Sequence, residues 1–598
     1  MAGIQSARLG AATLIAEETP WLGGMLTSAG VSAIDGNYRL YSGLWEEFRQ
    51  KLYKHYGGAG SVKTGWVSNV LFEPSAGASI LLQMAEAEEK LQVSFNWKLR
   101  DLRKTGAGWI AVFTSGHAKF SVKTTLLIDG TELGDVAKMA DVPYSIGMDS
   151  RDETGEAIAP EMASDIIQDL TYVAILEDFG RDADKTIPRP ENYDPAPFRC
   201  TCANENCKGV PPGTTLWDCT HMMEYGRLPN KKFMINWPIY GNDYYMNVIE
   251  MSDRQRTAAY ARAKRHTLCY IYFLQTERGF KNLGIAKGEF PTTDGLPFSP
   301  YHRESRRIRG KVRFTLNDLA RPYDQPLALY RTGIAVGDYP VDHHHGAYPD
   351  PSKVPDIHIY PVPSFTLPLG TLIPADRENL IVAEKSISVT NIVNGTTRLQ
   401  PVCMLTGQAA GVLAALSVQA GVTPADVPVR RVQQTLLDAG AYLLPYADVT
   451  PDDCYWEAVQ CIGATGILKG EGKNQGWTNL TIFHPDSVMT SSALADGLKE
   501  LIPDFESGLS GPFVTLEEAG NIAMKTAVLT GTWKKADPQL LQRKIEEISG
   551  KYGFGNLPVN APVSRSQMAV ILHEIANPFS LDVDLNGTFI KIPAKQFQ

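Results

Sequence analysis

The sequence lacks any apolar run of the roughly 20 residues that a membrane-spanning helix needs, so no membrane span is predicted. It also lacks an excess of basic residues, because 57 Lys and Arg stand against 66 Asp and Glu in 598 residues. The net charge of −9 argues against nucleic acid as a partner, since a phosphate-binding face needs clustered Lys and Arg. No basic segment followed by a long apolar segment opens the chain, so no signal peptide is recognisable. Localisation and oligomeric state are not determined, although we favour an extracytoplasmic over a cytoplasmic location.

Cysteine is also scarce, with eight residues in the whole chain. Half of them, Cys200, Cys202, Cys207 and Cys219, lie in one polar segment. Zinc sites usually use two C-x2-4-C pairs, and this cluster has a different spacing. Loop disulfides or free thiols therefore stand as alternatives to a zinc site. Cys403 lies in an apolar helical stretch and is predicted to be a core residue.

The first residues of the chain carry its most informative pattern. Gly3 to Leu9 is typical of a short helix, and Ala12 to Ala16 is an apolar strand that ends at Glu17. This is the second half of a βαβ dinucleotide-binding unit, in which G-x-G-x-x-G follows a first strand and an acid about 20 residues further on binds the ribose. With Gly3 as the third glycine, the first strand and the other two glycines would precede Met1. We therefore expect an N-terminally truncated cofactor domain.

Two later segments carry a similar signal. The apolar strand at 124–129 ends at Gly130 and Thr131, which would place backbone groups at the carboxyl edge of a parallel sheet, where nucleotides bind. Far along the chain, a strand at 380–383 leads to a small-residue helix at 407–420, whose first amides can face an anion or a flavin carbonyl. The alternatives are an ordinary strand-to-turn exit for the first segment and a core helix for the second.

The order of the segments predicts an α/β protein (α+β overall) with four parts. Residues 1–150 are the first part of a Rossmann-like cofactor domain without its first strand, and residues 151–330 are an inserted substrate or cap domain. Residues 331–440 return to the cofactor domain and contain an active-site segment. Residues 441–598, after a shift in composition, are predicted to be a helical accessory domain.

Five ordered motifs resemble the FAD-dependent oxidoreductase family, which is related to the glutathione reductase-type flavoproteins. They are EETPWLGGM from Glu17, IDGTELGD from Ile128, RESRRIRG from Arg303, GDYPVDHHH from Gly337 and RLQPVCMLTGQAAG from Arg398. The resemblance covers residues 1–425 and is specific for the family but not for a substrate. It implies a non-covalent FAD, since no His or Cys stands at an obvious attachment position.

The resemblance also implies which residues contact FAD. Glu17 would bind the adenosine ribose, Gly130 would lie near the adenine half, and Arg398 would approach the isoalloxazine. The full set implied is Gly3, Glu17, Gly23, Gly24, Met25, Gly130, Thr131, Asp135, Arg398, Gln400, Gly407, Gln408 and Gly411. The absent first strand would leave neighbouring backbone groups unpaired, which predicts weakened FAD binding.

The segment from Tyr339 to His345 is predicted to be catalytic. Histidine suits a base that takes a hydroxyl proton while hydride leaves for the flavin, because its pKa lies near working pH. In an extended segment His343 and His345 face one way, and Asp342 and His344 face the other. We therefore predict that His344 is the base, that Asp342 orients it and that Tyr339 lies beside them. A structural segment, a solvated loop and a metal site are the alternatives, and no further metal ligand is evident nearby.

Two other groups are candidates for substrate binding. Arginines at 303, 306 and 307 could bind a carboxylate or phosphate in bidentate fashion, with Arg306 best placed to reach substrate. Glu304 beside them favours an internal ion-pair network instead. The tyrosines at 240, 244 and 245 could stack on a sugar ring or simply form a half-buried aromatic strand.

The C-terminal region resembles degenerate S-layer homology modules. Residues 453–499 have the order helix, Gly-rich turn, F-x-P and Thr/Ser-capped helix, and residues 562–575 resemble the start of another copy. Such modules bind cell-wall glycans in some proteins. A small helical accessory domain without that role is the alternative.

These observations support three functional hypotheses. The first is an FAD-dependent oxidoreductase that transfers a hydride from a small organic or carbohydrate-type substrate to the flavin. The second is a glycan-binding or surface protein built on a decayed flavoprotein scaffold. The third is a polysaccharide lyase or hydrolase that uses the His and Tyr residues of the 337–345 motif.

Overall fold

The computed structural model describes residues 1–106, 108–202, 207, 210, 215–355, 357, 359–509, 511–555 and 557–590. Helices and strands alternate in the first 440 residues, and helices dominate the rest. The α-helices are α1 (Ala2–Arg8), α2 (Gly43–Tyr56), α3 (Pro74–Glu86), α4 (Asp135–Met139), α5 (Arg151–Thr154), α6 (Cys219–Tyr225), α7 (Asp253–Glu277), α8 (Leu316–Ala320), α9 (Asn391–Thr397), α10 (Gln400–Ala420), α11 (Val429–Asp438), α12 (Trp456–Gly463), α13 (Ser491–Leu501), α14 (Leu516–Leu529), α15 (Pro538–Tyr552) and α16 (Arg565–Ile575).

The strands are short, and most belong to sheets of two strands. They are β1 (Thr13–Glu17), β2 (Ala33–Ile34), β3 (Val70–Leu71), β4 (Leu91–Phe95), β5 (Lys98–Thr105), β6 (Gly108–Ser115), β7 (Ala118–Thr124), β8 (Leu127–Asp129), β9 (Tyr144–Ser145), β10 (Leu170–Thr171), β11 (Ala174–Asp178), β12 (Lys232–Ile235), β13 (Asp243–Tyr244), β14 (Leu283–Ile285), β15 (Arg307–Ile308), β16 (Gly333–Gly337), β17 (Phe365–Pro368), β18 (Leu380–Val382), β19 (Glu471–Lys473) and β20 (Leu480–Ile482).

Four strands form two parallel pairs that carry the dinucleotide-type motifs. β1 pairs with β4, with Glu17 opposite Phe95, and β8 pairs with β18, with Asp129 opposite Val382. Parallel strands connected through helices are typical of α/β folds, and the predicted α/β class is confirmed. Within the described residues each pair is two strands wide. Glu17 and Asp129 mark the carboxyl ends of the pairs, where open α/β folds bind ligands.

Helix α1 packs closely on β1 and on α10 because glycines line both contacts. A Cβ built on Gly3 would lie 2.5 Å from Ile15 Cδ1, so a larger residue would require the Ile15 side chain to shift. A Cβ built on Gly411 would lie 2.4 Å from the carbonyl oxygen of Ala2, and Gly407 lies one turn earlier on the same face of α10. Small residues at these positions let the two helix backbones approach each other.

Gln408 is committed to the same packing. Its Nε2 donates to Gln5 Oε1 at 3.0 Å, and its Oε1 accepts from the backbone N–H of Leu44 at 2.9 Å. The side chain therefore joins α10 to α1 and α2. The sequence predicted cofactor contacts for Gly407, Gln408 and Gly411, and the structure differs. The two glycines face α1, and both polar ends of the Gln408 amide bind neighbouring helices.

The segment between the two parallel pairs has an apolar core of its own. β11 lies between β12 and β14, and the long helix α7 packs on this sheet through Tyr270 and Ile271, which are fully buried. A capping box formed by Ser252 and Gln255 begins the helix and satisfies its first backbone donors.

The cysteine cluster lies in the same segment. Disulfides join Cys200 to Cys207 and Cys202 to Cys219. The disulfide alternative is therefore confirmed, and the cluster leaves no thiolate for zinc. Cys403 is a buried free cysteine of α10, as predicted.

The region after residue 440 shares its apolar core with the first part of the chain. One continuous set of buried side chains extends from Ile4 on α1 to Val583 near the C-terminus. Arg331 adds a polar connection, with its Nη2 3.0 Å from Glu500 Oε2 on α13. Helix α10 is long and apolar enough to cross a bilayer, but it is buried from Gln400 to Ser417 and acts as the central core helix.

Candidate functional site

Three segments that are distant in the sequence meet at the carboxyl ends of the parallel strands. Lys385, which follows β18, has its Nζ 3.0 Å from Oε1 of Glu132, which follows β8. A Cβ built on Gly24, which follows β1, would lie 3.9 Å from Glu132 Oε2. The motifs identified separately in the sequence therefore share one surface, where an α/β fold binds its ligand.

Lys385 is the buried cation of this surface. Its side chain is fully buried, and its Nζ also lies 2.8 Å from Glu384 Oε2. Burial opposes its charge, but Glu132 and Glu384 outweigh that effect and raise the pKa of Lys385. The lysine therefore stays charged, although burial still outweighs its effect on Glu132 and raises the pKa of that carboxyl to about 7.

Glu17 and the turn after it occupy the end of β1. Thr19 donates from its backbone N–H (2.9 Å) and its Oγ1 (2.8 Å) to Glu17 Oε1, which fixes the half-buried carboxylate. Gly23 and Gly24 have φ values of +117° and +51°, in the left-handed region that favours glycine. Met25 is buried at 2 % exposure and anchors the turn. The turn thus presents backbone rather than side chains near Glu132.

The end of β8 also presents backbone. Asp129 Oδ1 accepts from the N–H (2.8 Å) and the Oγ1 (2.6 Å) of Thr131, which closes a tight turn around Gly130. Gly130 is exposed, and a Cβ built on it would meet no described heavy atom within 4 Å. A ligand can therefore approach this backbone closely.

Asp135 and Arg306 form an ion-pair network. Arg306 is 1 % exposed; its Nη1 lies 2.7 Å from Asp135 Oδ1 and its Nε donates to Glu250 Oε1 at 2.9 Å. Arg256 Nη1 lies 2.6 Å from Asp135 Oδ2. Burial alone would raise the pKa of Asp135, but the two arginines lower it. The guanidinium of Arg306, predicted to reach substrate, makes its contacts inside the fold, whereas the carboxylate of Asp135, predicted to contact FAD, stays 39 % exposed.

The other arginines of that motif are internal as well. Arg303 Nη1 donates to the Asp169 carbonyl at 2.9 Å, and Arg307 Nη2 lies 3.1 Å from Asp149 Oδ2. Both guanidinium groups are buried. The ion-pair interpretation of this motif is therefore the correct one.

Arg398 connects the start of α10 to the histidine segment. Its Nη1 donates to the Tyr301 hydroxyl at 2.7 Å, and its Nη2 lies 3.2 Å from Asp342 Oδ2. Gln400, two residues later, donates from Nε2 to the Ala33 carbonyl at 3.1 Å. The Nε of Arg398 and the Oε1 of Gln400 are buried and have no hydrogen-bond partner within the described residues.

His344 lies between two carboxylates. Its Nε2 is 2.9 Å from Asp342 Oδ2, and its Nδ1 is 3.5 Å from Asp243 Oδ2. Burial opposes a charge on the ring, but Asp342 and Asp243 raise the pKa of His344. Burial would also raise the pKa of Asp243, but Arg303 and His344 lower it to about 2. The predicted contact between Asp342 and His344 is present, and a second carboxylate, Asp243, faces the other ring nitrogen.

A hydrogen bond to its backbone carbonyl holds Tyr339 beside Arg398, Asp342 and His344. Its carbonyl accepts from Thr396 Oγ1 at 2.7 Å, and its ring lies 5.8 Å from the ring of Trp477. The side chain is 4 % exposed, and burial together with the charges of Asp35 and Asp342 raises its pKa. The phenol therefore stays protonated.

Asp35 belongs to the same group and was missed in the sequence. It follows β2 directly, is half-buried, and accepts from Ser68 Oγ at 2.6 Å. Burial raises its pKa to about 6, and the charges of Asp342, Arg398 and His344 reach it. The sequence pattern that could have indicated Asp35 is a short apolar strand ending in Asp-Gly. That pattern is weak evidence for a functional site, because Asp-Gly is also common in ordinary turns.

The family comparison covers most of the chain. The sequence model of the family described as FAD dependent oxidoreductase matches residues 1–436. No curated protein matches the chain closely enough to count as a relative.

Solved structures give distant similarities. PnpA, a p-nitrophenol 4-monooxygenase from Pseudomonas putida DLL-E4, is 10% identical with a TM-score of 0.27, covering 73% of this chain and 80% of PnpA. CabE, an aromatic hydroxylase from angucycline biosynthesis, is 12% identical with a TM-score of 0.21. That alignment covers 32% of this chain and 37% of CabE, so the chain spans little more than a third of CabE.

Proposed function

Because this chain belongs to the FAD dependent oxidoreductase family, we propose that it oxidises an alcohol group of a small organic or carbohydrate-type substrate, with Asp35 as the base. FAD is the cofactor, and when bound it supplies the acceptor for a hydride. The observation that carries the proposal is a half-buried carboxyl group with a raised pKa, Asp35, next to the Arg398–Asp342–His344 group.

The residues present fit an FAD at the carboxyl ends of the parallel strands. Glu17 offers a fixed acceptor for ribose hydroxyls, and Gly24 and Gly130 leave backbone open to the diphosphate and adenine portions. Near the start of α10, Arg398 Nε and Gln400 Oε1 are buried polar atoms without a described partner. Such atoms are costly unless a ligand satisfies them, and the polar edge of an isoalloxazine carries matching donors and acceptors.

Asp35 is suited to accept the proton of a substrate hydroxyl. An efficient base has a pKa near the working pH, and burial raises the pKa of Asp35 to about 6. Its half-buried position lets a substrate reach it. The Ser68 hydroxyl donates to Oδ1 and stabilises the carboxylate form.

His344 and Arg398 supply fixed positive charge beside the base. Both are paired with Asp342, which holds them in place. We assign His344 as a positioning residue that keeps Asp342 and Arg398 aligned.

A neutral, hydroxyl-bearing substrate suits the surroundings of Asp35. Tyr38 and Tyr225 are half-buried, and the charge of Asp35 reaches both hydroxyl groups. Burial raises the pKa of each phenol, so both stay neutral; the Tyr38 hydroxyl already donates to the Val67 carbonyl at 2.7 Å and can only accept from a substrate hydroxyl. Aromatic faces with hydroxyl groups are suited to stacking on and hydrogen bonding to a polyol or sugar.

The test is anaerobic reduction of the bound flavin, which is monitored through the loss of the flavin's visible absorbance. A panel of sugars, sugar alcohols and simple alcohols is compared with a panel of hydroxylated aromatics. We expect Asp35→Asn to lower the rate of flavin reduction by roughly 100-fold or more, the usual contribution of a general base. The rate in wild type should rise with pH through about 6, because only the carboxylate form of Asp35 accepts a proton.

Asp152→Asn, which removes an exposed carboxylate, is the matched control and should leave the rate unchanged. An Asp35→Asn rate close to wild type, in a variant that retains FAD, would exclude Asp35 as the base. Failure of every alcohol and sugar to reduce the flavin would exclude the proposed substrate class.

A further inference from the structure

The histidine segment contains a second arrangement that the proposed reaction does not use. His343 and His345 point away from His344, as the alternation of an extended segment predicts. His343 Nδ1 and His345 Nε2 face each other at 3.4 Å. One ligand atom each from Glu304, His343 and His345 lie within 4.8 Å of one another.

The outer nitrogens of both rings are hydrogen bonded to backbone carbonyls. His343 Nε2 lies 3.2 Å from the carbonyl oxygen of Ile392, and His345 Nδ1 lies 3.2 Å from that of Ile167. A carbonyl oxygen only accepts, so each of these nitrogens carries the proton. In the neutral rings, the two nitrogens that face each other therefore both present lone pairs.

Two lone pairs at this distance repel unless a proton or a cation lies between them. Neutral imidazoles whose other N–H is bound to a carbonyl are the usual state of metal-ligating histidines. Two nitrogens bound to one tetrahedral zinc at roughly 2.0–2.1 Å would be about 3.4 Å apart.

Glu304 supplies the third group. Its side chain is fully buried, and its Oε1 accepts from the Gln168 N–H (3.1 Å) and from Asn391 Nδ2 (3.0 Å). Its Oε2 makes no hydrogen bond within the described residues and lies 3.6 Å from Arg307 Nη1. Arg307 is shared with Asp149, whose Oδ2 lies 3.1 Å from Arg307 Nη2.

We propose that Glu304, His343 and His345 bind a divalent ion of the zinc class. Two imidazole nitrogens and one carboxylate oxygen are the ligands such an ion prefers, and they leave a further position for water. The ion would fix residues 343–345 to the 303–310 motif and so hold His344 against Asp342. This inference does not depend on the substrate or on the base assigned above.

The test measures metal in the untagged holoenzyme. The protein is treated with a chelator, dialysed against zinc, desalted and analysed for zinc by mass spectrometry, in wild type, His345→Gln and Glu304→Gln. His117→Gln, which changes an exposed histidine in the β6–β7 turn, is the matched control. Glu457, Cys461 and His573 also lie close together, so the result is scored as the difference between wild type and each variant.

We expect wild type and His117→Gln to bind one zinc more than His345→Gln and Glu304→Gln. Loss of even an outer-shell partner weakens zinc binding by roughly 10–100-fold, so loss of a ligand should do at least as much. X-ray absorption at the zinc edge of the wild type should show a pair of imidazole ligands, from His343 and His345. Zinc should raise the unfolding temperature of the wild type, and a chelator should reverse that rise.

Equal zinc content in wild type and in both variants would overturn the proposal. So would a wild-type zinc spectrum with sulfur and no pair of imidazoles, since it would place the ion at Cys461. If a variant does not fold, the wild type alone decides through its zinc content and spectrum.

Discussion

Substituting Gly411 by alanine should loosen the contact between α1 and α10. A Cβ at this position would lie 2.4 Å from the carbonyl oxygen of Ala2 and 3.1 Å from its carbonyl carbon, where ordinary contacts begin at 3.4 Å. Both atoms belong to the backbone, so no side-chain rotation relieves the overlap, and α1 must move by about 1 Å. Overpacking of this kind costs about 1–3 kcal/mol, against a gain of about 0.5–1 kcal/mol from replacing a helical glycine.

Gly520→Ala is the matched control for that prediction. Gly520 is also a buried helical glycine, on α14, but a Cβ there would first meet Leu541 Cδ1 at an ordinary 3.5 Å. Gly520→Ala should therefore be stabilised by the higher helix propensity of alanine, with no cost from overlap. The difference in unfolding free energy between the two variants isolates the overlap and should be about 1–3 kcal/mol, with Gly411→Ala the less stable. Calorimetry measures both unfolding temperatures, and a Gly411→Ala protein as stable as Gly520→Ala would refute the packing argument.

Two further predictions concern buried charge. Arg306→Met should destabilise the protein by about 1–2 kcal/mol, because the Leu133 carbonyl loses its donor while Asp135 and Glu250, which are partly exposed, keep Arg256 and Lys138; Arg309→Met, which removes a more exposed arginine, is the control, and equal unfolding temperatures would contradict the network. Asp338→Asn should gain stability relative to wild type as pH rises from about 4 to about 7. Burial raises the folded-state pKa of Asp338 to about 7, above its ordinary value of 3.8, so the folded protein binds this proton more tightly than the unfolded chain does. The stability that the bound proton gives the wild type is therefore lost as pH rises from about 4 to about 7. Asparagine keeps an oxygen that can accept from the Asn37 N–H, and identical pH profiles of unfolding temperature would exclude Asp338 as the titrating group.

The motif residues at strand ends were the part of the site that the sequence could predict. Glu17 and Gly130 follow apolar strands, and carboxyl ends of parallel strands meet at one edge, so their convergence follows from the fold class. The role of the glycines of α10 was harder to predict, because small residues allow close approach of either a ligand or a neighbouring helix. Gly411 faces α1, and only the position of α1 in space decides between the two.

Asp35 and Glu304 could not be assigned from the sequence for a related reason. Each lies far along the chain from the residues it joins: Asp35 from the histidine segment, and Glu304 from His343 and His345. Glu304 was interpreted as a partner of the neighbouring arginines, and Arg307 is indeed 3.6 Å away. Its second role depends on loop paths that no local pattern encodes.

The charges around His344 differ from those around Asp35. His344 lies between two carboxylates, which raise its pKa. Asp342 is in turn compensated by Arg398 and His344. Asp35 has only a serine hydroxyl as its direct partner among the described residues, and burial dominates its titration. Removing the positive charge with His344→Gln should therefore raise the pKa of Asp35 and shift the rise of the flavin-reduction rate to higher pH, whereas a base at position 344 would instead abolish that rise.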